Sequence, residues 1–99
     1  MRLRKNQQQT IRETVREIFG PDASVYVFGS RVDDSARGGD IDLLVRLEKP
    51  QAETERKIIR LVARLQIRLG DQPIDVLLQD PESTLSPIHL EARRTGIRL

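Results

Sequence analysis

Two aspartates separated by one apolar residue are the feature of this sequence that most clearly points to chemistry. Asp40 and Asp42 flank Ile41 at the head of an alternating apolar segment. On a β-strand, residues two apart lie on the same face, roughly 6.6 Å apart at ~3.3 Å per residue. At an effective dielectric constant of ~20, two such carboxylates repel each other by about 2.5 kcal/mol. The pair is equally typical of a metal site and of two acids held in water at a strand mouth.

A third aspartate lies inside a later apolar segment. Asp75 follows Pro73-Ile74 and precedes Val76, and a charge there is costly unless it is paired or binds a metal. If the segment that contains Asp75 and the segment that begins at Asp40 form neighbouring strands, Asp75 stands beside the first two acids. Three carboxylates at one spot need divalent cations. Oxygen ligands without His or Cys favour Mg²⁺ over Zn²⁺. The alternative is that Asp75 pairs with one of the fourteen arginines.

Gly29 and Ser30 end an apolar run and are a second candidate site. A glycine lets the backbone approach a ligand, and a following serine offers a hydroxyl and amide N–H groups to phosphate oxygens. As an isolated dipeptide the motif is more typical of an ordinary turn. The chain has no Gly-x-x-x-x-Gly-Lys-Ser/Thr run, which excludes a P-loop.

Apolar periodicity predicts the elements that hold these residues. Helical spacing predicts a first helix that ends before Gly20, a long helix that ends at Gly70, and a last helix that begins at the Ser86-Pro87 pair. Residues 31–39 are polar and are predicted to form a loop. The predicted segments with defined bounds are a helix over Gln7–Phe19, strands over Ser24–Phe28, Asp40–Leu47 and Ile74–Leu78, and a helix from Ser86 to about Thr95.

The order of these elements is α-β-β-α-β-α, which predicts an α/β (α+β) fold with helices packed on a small, mixed, three-stranded sheet. The long helix between the second and third strands favours a parallel pair joined by a right-handed crossover. The first two strands share only a loop, and an antiparallel pairing stays open for them. The tail, Ile97–Leu99, is expected to dock either on the sheet or on a partner.

Composition narrows the possible classes of protein. With 99 residues we expect a single domain over residues 1–99. The net charge of +2 and three aromatic residues, all within apolar runs, argue against specific nucleic-acid binding. We expect neither a membrane span nor a secretory leader, because no apolar run has the length or the position that either one needs. The absence of cysteine fits a reducing cytoplasm.

A row of arginines recurs every four residues along the long helix, at positions 56, 60, 64 and 68. Like charges at this spacing are slightly destabilising, by roughly 0.2–0.5 kcal/mol per pair, unless acidic groups face them. We interpret the row as a solvated face offset by Glu53 and Glu55, with a partner surface as the alternative. His89, the single histidine, is interpreted as a surface or packing residue.

These residues together resemble a known family. Residues 27–30 (Val-Phe-Gly-Ser), then nine residues, then 40–43 (Asp-Ile-Asp-Leu), then a later strand acid at Asp75 resemble the signature of the nucleotidyltransferase superfamily that includes DNA polymerase beta. Gly-Ser-Arg with Asp-Ile-Asp-Leu-Leu-Val on so short a chain is similar to the minimal nucleotidyltransferases of bacteria and archaea. The resemblance implies the nucleotidyltransferase fold over the whole chain.

The resemblance also implies roles for single residues. Gly29 and Ser30 would hold the triphosphate, and Arg31 would add positive charge near it. Asp40 and Asp42 would bind two Mg²⁺ ions. Asp75 would complete the site of the catalytic ion and orient or deprotonate the attacking hydroxyl. One departure concerns Gly39, because many members have serine before the first acid, and a hydroxyl contact is therefore absent here.

The function implied is Mg²⁺-dependent transfer of a nucleotidyl group, AMP from ATP, to a hydroxyl of an acceptor, an activity of the EC 2.7.7 type. Minimal nucleotidyltransferases often act as antitoxins that modify a helical HEPN-domain toxin, which makes such a toxin the expected partner. Two alternatives are a non-catalytic module that neutralises the toxin by contact, and nucleotidyl transfer to a small molecule. The short chain leaves no obvious room for a small-molecule acceptor.

Overall fold

The computed structural model describes residues 3–29 and 40–99. Within these residues the chain forms three helices and four strands: α1 (Lys5–Phe19), β1 (Ser24–Phe28), β2 (Ile41–Arg46), α2 (Thr54–Leu69), β3 (Ile74–Gln79), α3 (Pro87–Thr95) and β4 (Ile97–Arg98). The predicted α-β-β-α-β-α order is confirmed, with bounds that differ by one or two residues. The predicted loop over residues 31–39 lies outside the described residues.

The sheet has four strands in the order β3-β2-β1-β4, so the prediction of three strands is wrong. The tail supplies the fourth strand by pairing antiparallel with the edge of β1, where Tyr26 is opposite Arg98. The backbone N–H of Leu99 donates to the carbonyl oxygen of Val25 at 3.0 Å. The tail therefore docks on the sheet, one of the two expectations stated for it.

The strand directions agree with the lengths of the connections. β2 and β3, joined by α2, are parallel, as predicted for a helical crossover. β1 and β2 are antiparallel, with Ser24 opposite Arg46 and Phe28 opposite Asp42. The mixed sheet is confirmed, and the parallel pair brings the beginnings of β2 and β3 to the same end of the sheet.

The side chains of β2 alternate between the two faces of the sheet, and different helices cover these faces. Ile41, Leu43 and Val45 point into the main core beneath α1 and α2, whereas Leu44 points to a smaller cluster with Phe28 and Ala92 beneath α3. The main core contains these residues of the two helices: Ile11, Val15, Ile18, Phe19, Leu61 and Leu65.

No helix within residues 3–29 and 40–99 is long and apolar enough to span a bilayer.

Three of the four arginines in the row along α2 contact a carboxylate, and two of these contacts join α2 to α1. Arg68 Nη1 donates to Thr14 Oγ1 at 2.7 Å, and Arg68 Nη2 lies 3.1 Å from Glu17 Oε2. Arg64 lies 3.4 Å from the same carboxylate, and Arg56 lies 3.6 Å from Glu53. Half of the row thus faces a carboxylate of α1, a contact between distant parts of the chain.

His89 acts at the start of α3, as a packing residue. The backbone N–H of Ser86 lies 3.4 Å from His89 Nδ1 and donates to it, and Nε2 lies 3.2 Å from the carbonyl oxygen of Leu78 on β3. The imidazole therefore ties the first turn of α3 to the sheet. Ser86 is the N-cap and Pro87 the first helical residue, as the sequence predicts.

Candidate active site

Two of the three aspartates are brought together at one end of the sheet. Asp42 is the second residue of β2 and Asp75 the second residue of β3, and the parallel pairing places them directly opposite each other. Neighbouring strands lie about 4.8 Å apart, and paired residues share a face. β2 and β3 are therefore neighbours, which is the condition stated above for Asp75 to stand beside the other acids.

Asp40 lies immediately before β2 and is exposed. The predicted strand began at this residue, whereas the observed strand begins at Ile41. Its charge still acts on Asp42, since it is one of the groups that alter the pKa of that residue. The three acids thus form one electrostatic group at the mouth of β2 and β3.

The environment of Asp42 disfavours its ionised form. Burial raises the pKa of Asp42 above its ordinary value, and the negative charges of Asp75 and Asp40 raise that pKa further. Both causes act against the charge on the carboxylate. A cation held beside Asp42 would oppose the second cause and favour the ionised carboxylate.

Gly29 follows β1 and lies directly against Asp42. Its φ angle is +74°, a conformation that residues with a Cβ rarely adopt. A Cβ placed on Gly29 would collide with Oδ2 of Asp42. Glycine is therefore required here both by the backbone conformation and by the space that the carboxylate occupies.

Phe28 is a residue of this site that the sequence analysis did not assign. It is the register partner of Asp42 on β1 and is buried with Leu44 and Ala92. A buried apolar residue at the strand position paired with Asp42 agrees with burial as the main cause of the raised pKa of Asp42. Its position before Gly29 in the sequence was the available clue.

Other predicted residues are not tested by this geometry. Ser30, Arg31 and Gly39 lie outside the described residues, so their roles stay predictions. Within residues 3–29 and 40–99, no group of three His, Cys, Asp or Glu side chains is arranged to hold a metal ion. Convergence of Asp40, Asp42 and Asp75 on one ion therefore also stays a prediction.

Two clefts open on this sheet face, with volumes of about 440 and 480 Å³, and the second extends to Leu44, two residues from Asp42 on β2. Both are lined by Tyr26 and Arg46, whose guanidinium lies 5.8 Å from the ring centroid. Arg46 is four residues along β2 from Asp42, or roughly 13 Å. Asp40, Asp42 and Asp75 line neither cleft.

Comparison with known protein families identifies the family of this chain. A family model described as a nucleotidyltransferase domain matches residues 9–95. The chain belongs to this family. The match runs from α1 to the end of α3 and includes all three aspartates. Comparison with curated proteins gives no significant match.

Membership in the nucleotidyltransferase family makes the chain a transferase of this general kind, with a nucleotide as its substrate. Nucleotidyltransferases typically use divalent metal ions, and the donor groups available at this site agree with that chemistry. Asp40, Asp42 and Asp75 offer only carboxylate oxygens, the ligands that Mg²⁺ prefers. The candidate site thus joins an acidic group to a glycine that brings the backbone close to it.

Proposed function

We propose that this nucleotidyltransferase domain transfers AMP from ATP to a hydroxyl group of a partner protein, in a reaction that depends on Mg²⁺. The observation that carries the proposal is the pairing of Asp42 with Asp75, with Gly29 packed against the Asp42 carboxylate. Paired acids beside a close approach of the backbone suit a site where a phosphate chain and cations meet. We propose that residues 1–99 act as one minimal nucleotidyltransferase domain.

Asp40, Asp42 and Asp75 are the residues that would hold two Mg²⁺ ions. When bound, the ions supply positive charge at the attacking and leaving oxygens of the phosphoryl group. The donor set and the raised pKa of Asp42 support this assignment. Because burial and two neighbouring negative charges raise that pKa, binding of cations would favour the ionised form of Asp42 that ligation needs.

The residues of the chain divide the remaining tasks. Gly29, Ser30 and Arg31 would bind the triphosphate with its α-phosphorus near the acids. The hydroxyl oxygen of the acceptor forms a bond to that phosphorus, the bond between the α-phosphorus and its bridging oxygen to the β-phosphorus breaks, and pyrophosphate leaves with the electron pair. The carboxylate of Asp75 orients the hydroxyl and accepts its proton.

The exposure of the site favours a macromolecular acceptor. Asp40 and Asp75 are both exposed, and none of the three acids lines either of the two clefts. A hydroxyl on the surface of another protein can approach such exposed carboxylates. We propose a helical HEPN-domain toxin as this acceptor, with the chain acting as its antitoxin in the cytoplasm.

The test is a transfer assay with the candidate partner. The chain is incubated with ATP, Mg²⁺ and a HEPN-domain protein encoded beside it, and intact-mass spectrometry follows the partner. We expect one added nucleotidyl group on a hydroxyl side chain, lost with Asp75→Asn and retained with Asp71→Asn, an exposed acid outside the strands. Neutralisation of the toxin without modification would assign the chain to contact inhibition, and efficient modification of a small molecule alone would assign it to that substrate class.

A further inference from the structure

The outer face of α2 carries a row of exposed apolar side chains. Ile59 is 71% exposed and Ile67 is 83% exposed, and Ala63 between them is also exposed. Residues four apart are neighbours on a helix surface, so the three form a continuous row about 12 Å long at a rise of 1.5 Å per residue. We call this row the α2 stripe.

The α2 stripe does not serve the fold of this chain. Leu61 and Leu65 are fully buried on the opposite side of the helix, where α2 packs on α1 and the sheet. Isoleucine is also a poorer helix former than glutamine or lysine, so these two side chains do not strengthen α2 itself. Two large apolar groups exposed on one face of α2, with Ala63 between them, therefore indicate a surface that meets another molecule.

The border of the α2 stripe is strongly basic on one side. Arg56, Arg60 and Arg64 run alongside it at the same spacing. Arg56 and Arg64 have carboxylate neighbours at 3.6 and 3.4 Å, the first in an exposed pair and the second in a half-exposed one, and such pairs contribute little. In the part of the chain that the structure describes, no ion pair is formed by Arg60. The charge along this border is thus only partly compensated within the chain.

This charge distribution disfavours a second copy of the chain as the occupant. In an antiparallel pair of α2 helices the arginine borders would lie side by side, and like charges there destabilise the pair. In a parallel pair Glu55 would be the main carboxylate facing three guanidinium groups.

We propose that the α2 stripe docks an amphipathic helix of a partner protein whose apolar ridge is bordered by aspartate or glutamate. The apolar row supplies contact area, and the arginine border selects the acidic flank. Docking on the α2 stripe leaves the acids accessible. The helix α2 covers the sheet face of Ile41 and Leu43, whereas Asp42 lies on the opposite face. This inference is independent of the proposed nucleotidyl transfer.

The test uses two synthetic helical peptides with the same apolar ridge, one bordered by glutamates and the other by lysines. Fluorescence anisotropy measures their binding to the wild-type chain, to Ile59→Gln/Ile67→Gln and to Arg60→Glu. The matched control is Ile88→Gln, which changes an isoleucine that is 53% exposed on α3. Circular dichroism checks that the variants are folded.

We expect the glutamate peptide to bind wild type at least tenfold more tightly than the lysine peptide. The double variant should lose at least tenfold in affinity, Ile88→Gln should bind like wild type, and Arg60→Glu should narrow the preference. Equal binding of both peptides, no binding of either, or unchanged binding by the double variant overturns the proposal. A wild-type dimer in sedimentation that the double variant abolishes would assign the α2 stripe to a second copy instead.

Discussion

Asp42 and Asp75 are direct partners in the parallel register of β2 and β3. Like charges opposite each other on neighbouring strands destabilise a sheet, and the negative charge of Asp75 raises the pKa of Asp42. Such a pairing is unfavourable for the fold alone. Positive charge bound between the two carboxylates would offset this repulsion, which would connect stability, pH and ligand binding at one point of the sheet.

Asp42→Asn is expected to raise the melting temperature at pH 7 in metal-free buffer. Because the pKa of Asp42 is raised in the folded state, the folded chain holds this proton more tightly than the unfolded chain does. The free energy of unfolding therefore falls as the pH rises from the ordinary carboxyl pKa through the raised value. Thermal unfolding at pH 7 and at pH 3 should show a gain for the variant at pH 7 and little difference at pH 3.

The control for this pH effect is Asp22→Asn, which changes an exposed acid on the turn after α1. It should leave the difference between the two pH values close to that of wild type. A loss of stability at pH 7 in Asp42→Asn would show instead that the ionised carboxylate makes a stabilising contact.

Mg²⁺ or Mn²⁺ together with a nucleoside triphosphate is expected to stabilise the wild-type chain. A ligand at ~100 times its dissociation constant adds about 2.7 kcal/mol to the free energy of unfolding. The physical reason is the acidic group formed by Asp40, Asp42 and Asp75. Differential scanning fluorimetry should show this shift in wild type and not in Asp40→Asn/Asp42→Asn, whereas an equal shift in both proteins rules out these acids as ligands.

Asp75→Asn is expected to retain most of the nucleotide affinity and to lose transfer by at least about 100-fold. Asp75 comes from a different strand than the other two acids and would act mainly on the attacking hydroxyl, an interaction that matters in the transition state. Isothermal titration with ATP and Mg²⁺ measures the first property, and the transfer assay measures the second. Transfer at the wild-type rate would make Asp75 a structural acid.

Gly29→Ala is expected to weaken nucleotide binding as well as stability. The new Cβ would meet Oδ2 of Asp42, and alanine at φ +74° adds roughly 1–2 kcal/mol of backbone strain. Gly70→Ala is the matched control, since Gly70 has φ +98° and open space around its Cα. Both variants should lose stability, but only Gly29→Ala should lose nucleotide affinity, and equal affinities would contradict a role for this contact.

The sequence was sufficient for the features that depend on local patterns. Alternation along β2 predicts which residues face each side, so the common face of Asp42 and Leu44 followed from spacing alone. The parallel pairing followed from the length of the α2 crossover. Both are properties of a short window of sequence, in which the period of apolar residues has one physical interpretation.

Features that depend on distant contacts were not accessible in this way. β4 is two residues long, too short to show alternation, and its strand conformation depends on the free edge of β1. The contact of Arg68 with Thr14 and Glu17 depends on how α1 and α2 pack. The close approach of Gly29 to Asp42 similarly requires the strand register, which no local pattern encodes.

The pairing of β4 with β1 has a consequence for the order in which the protein opens. Val27 and Ile97 are paired although most of the chain separates them, and closing so long a loop costs entropy that a two-residue strand repays poorly. Native-state hydrogen exchange should therefore show the Leu99 amide, bonded to Val25, exchanging well before the amides shared by β1 and β2. Release of β4 would expose the edge of β1. The unpaired N–H and C=O groups of that edge strand could then pair with another chain on heating.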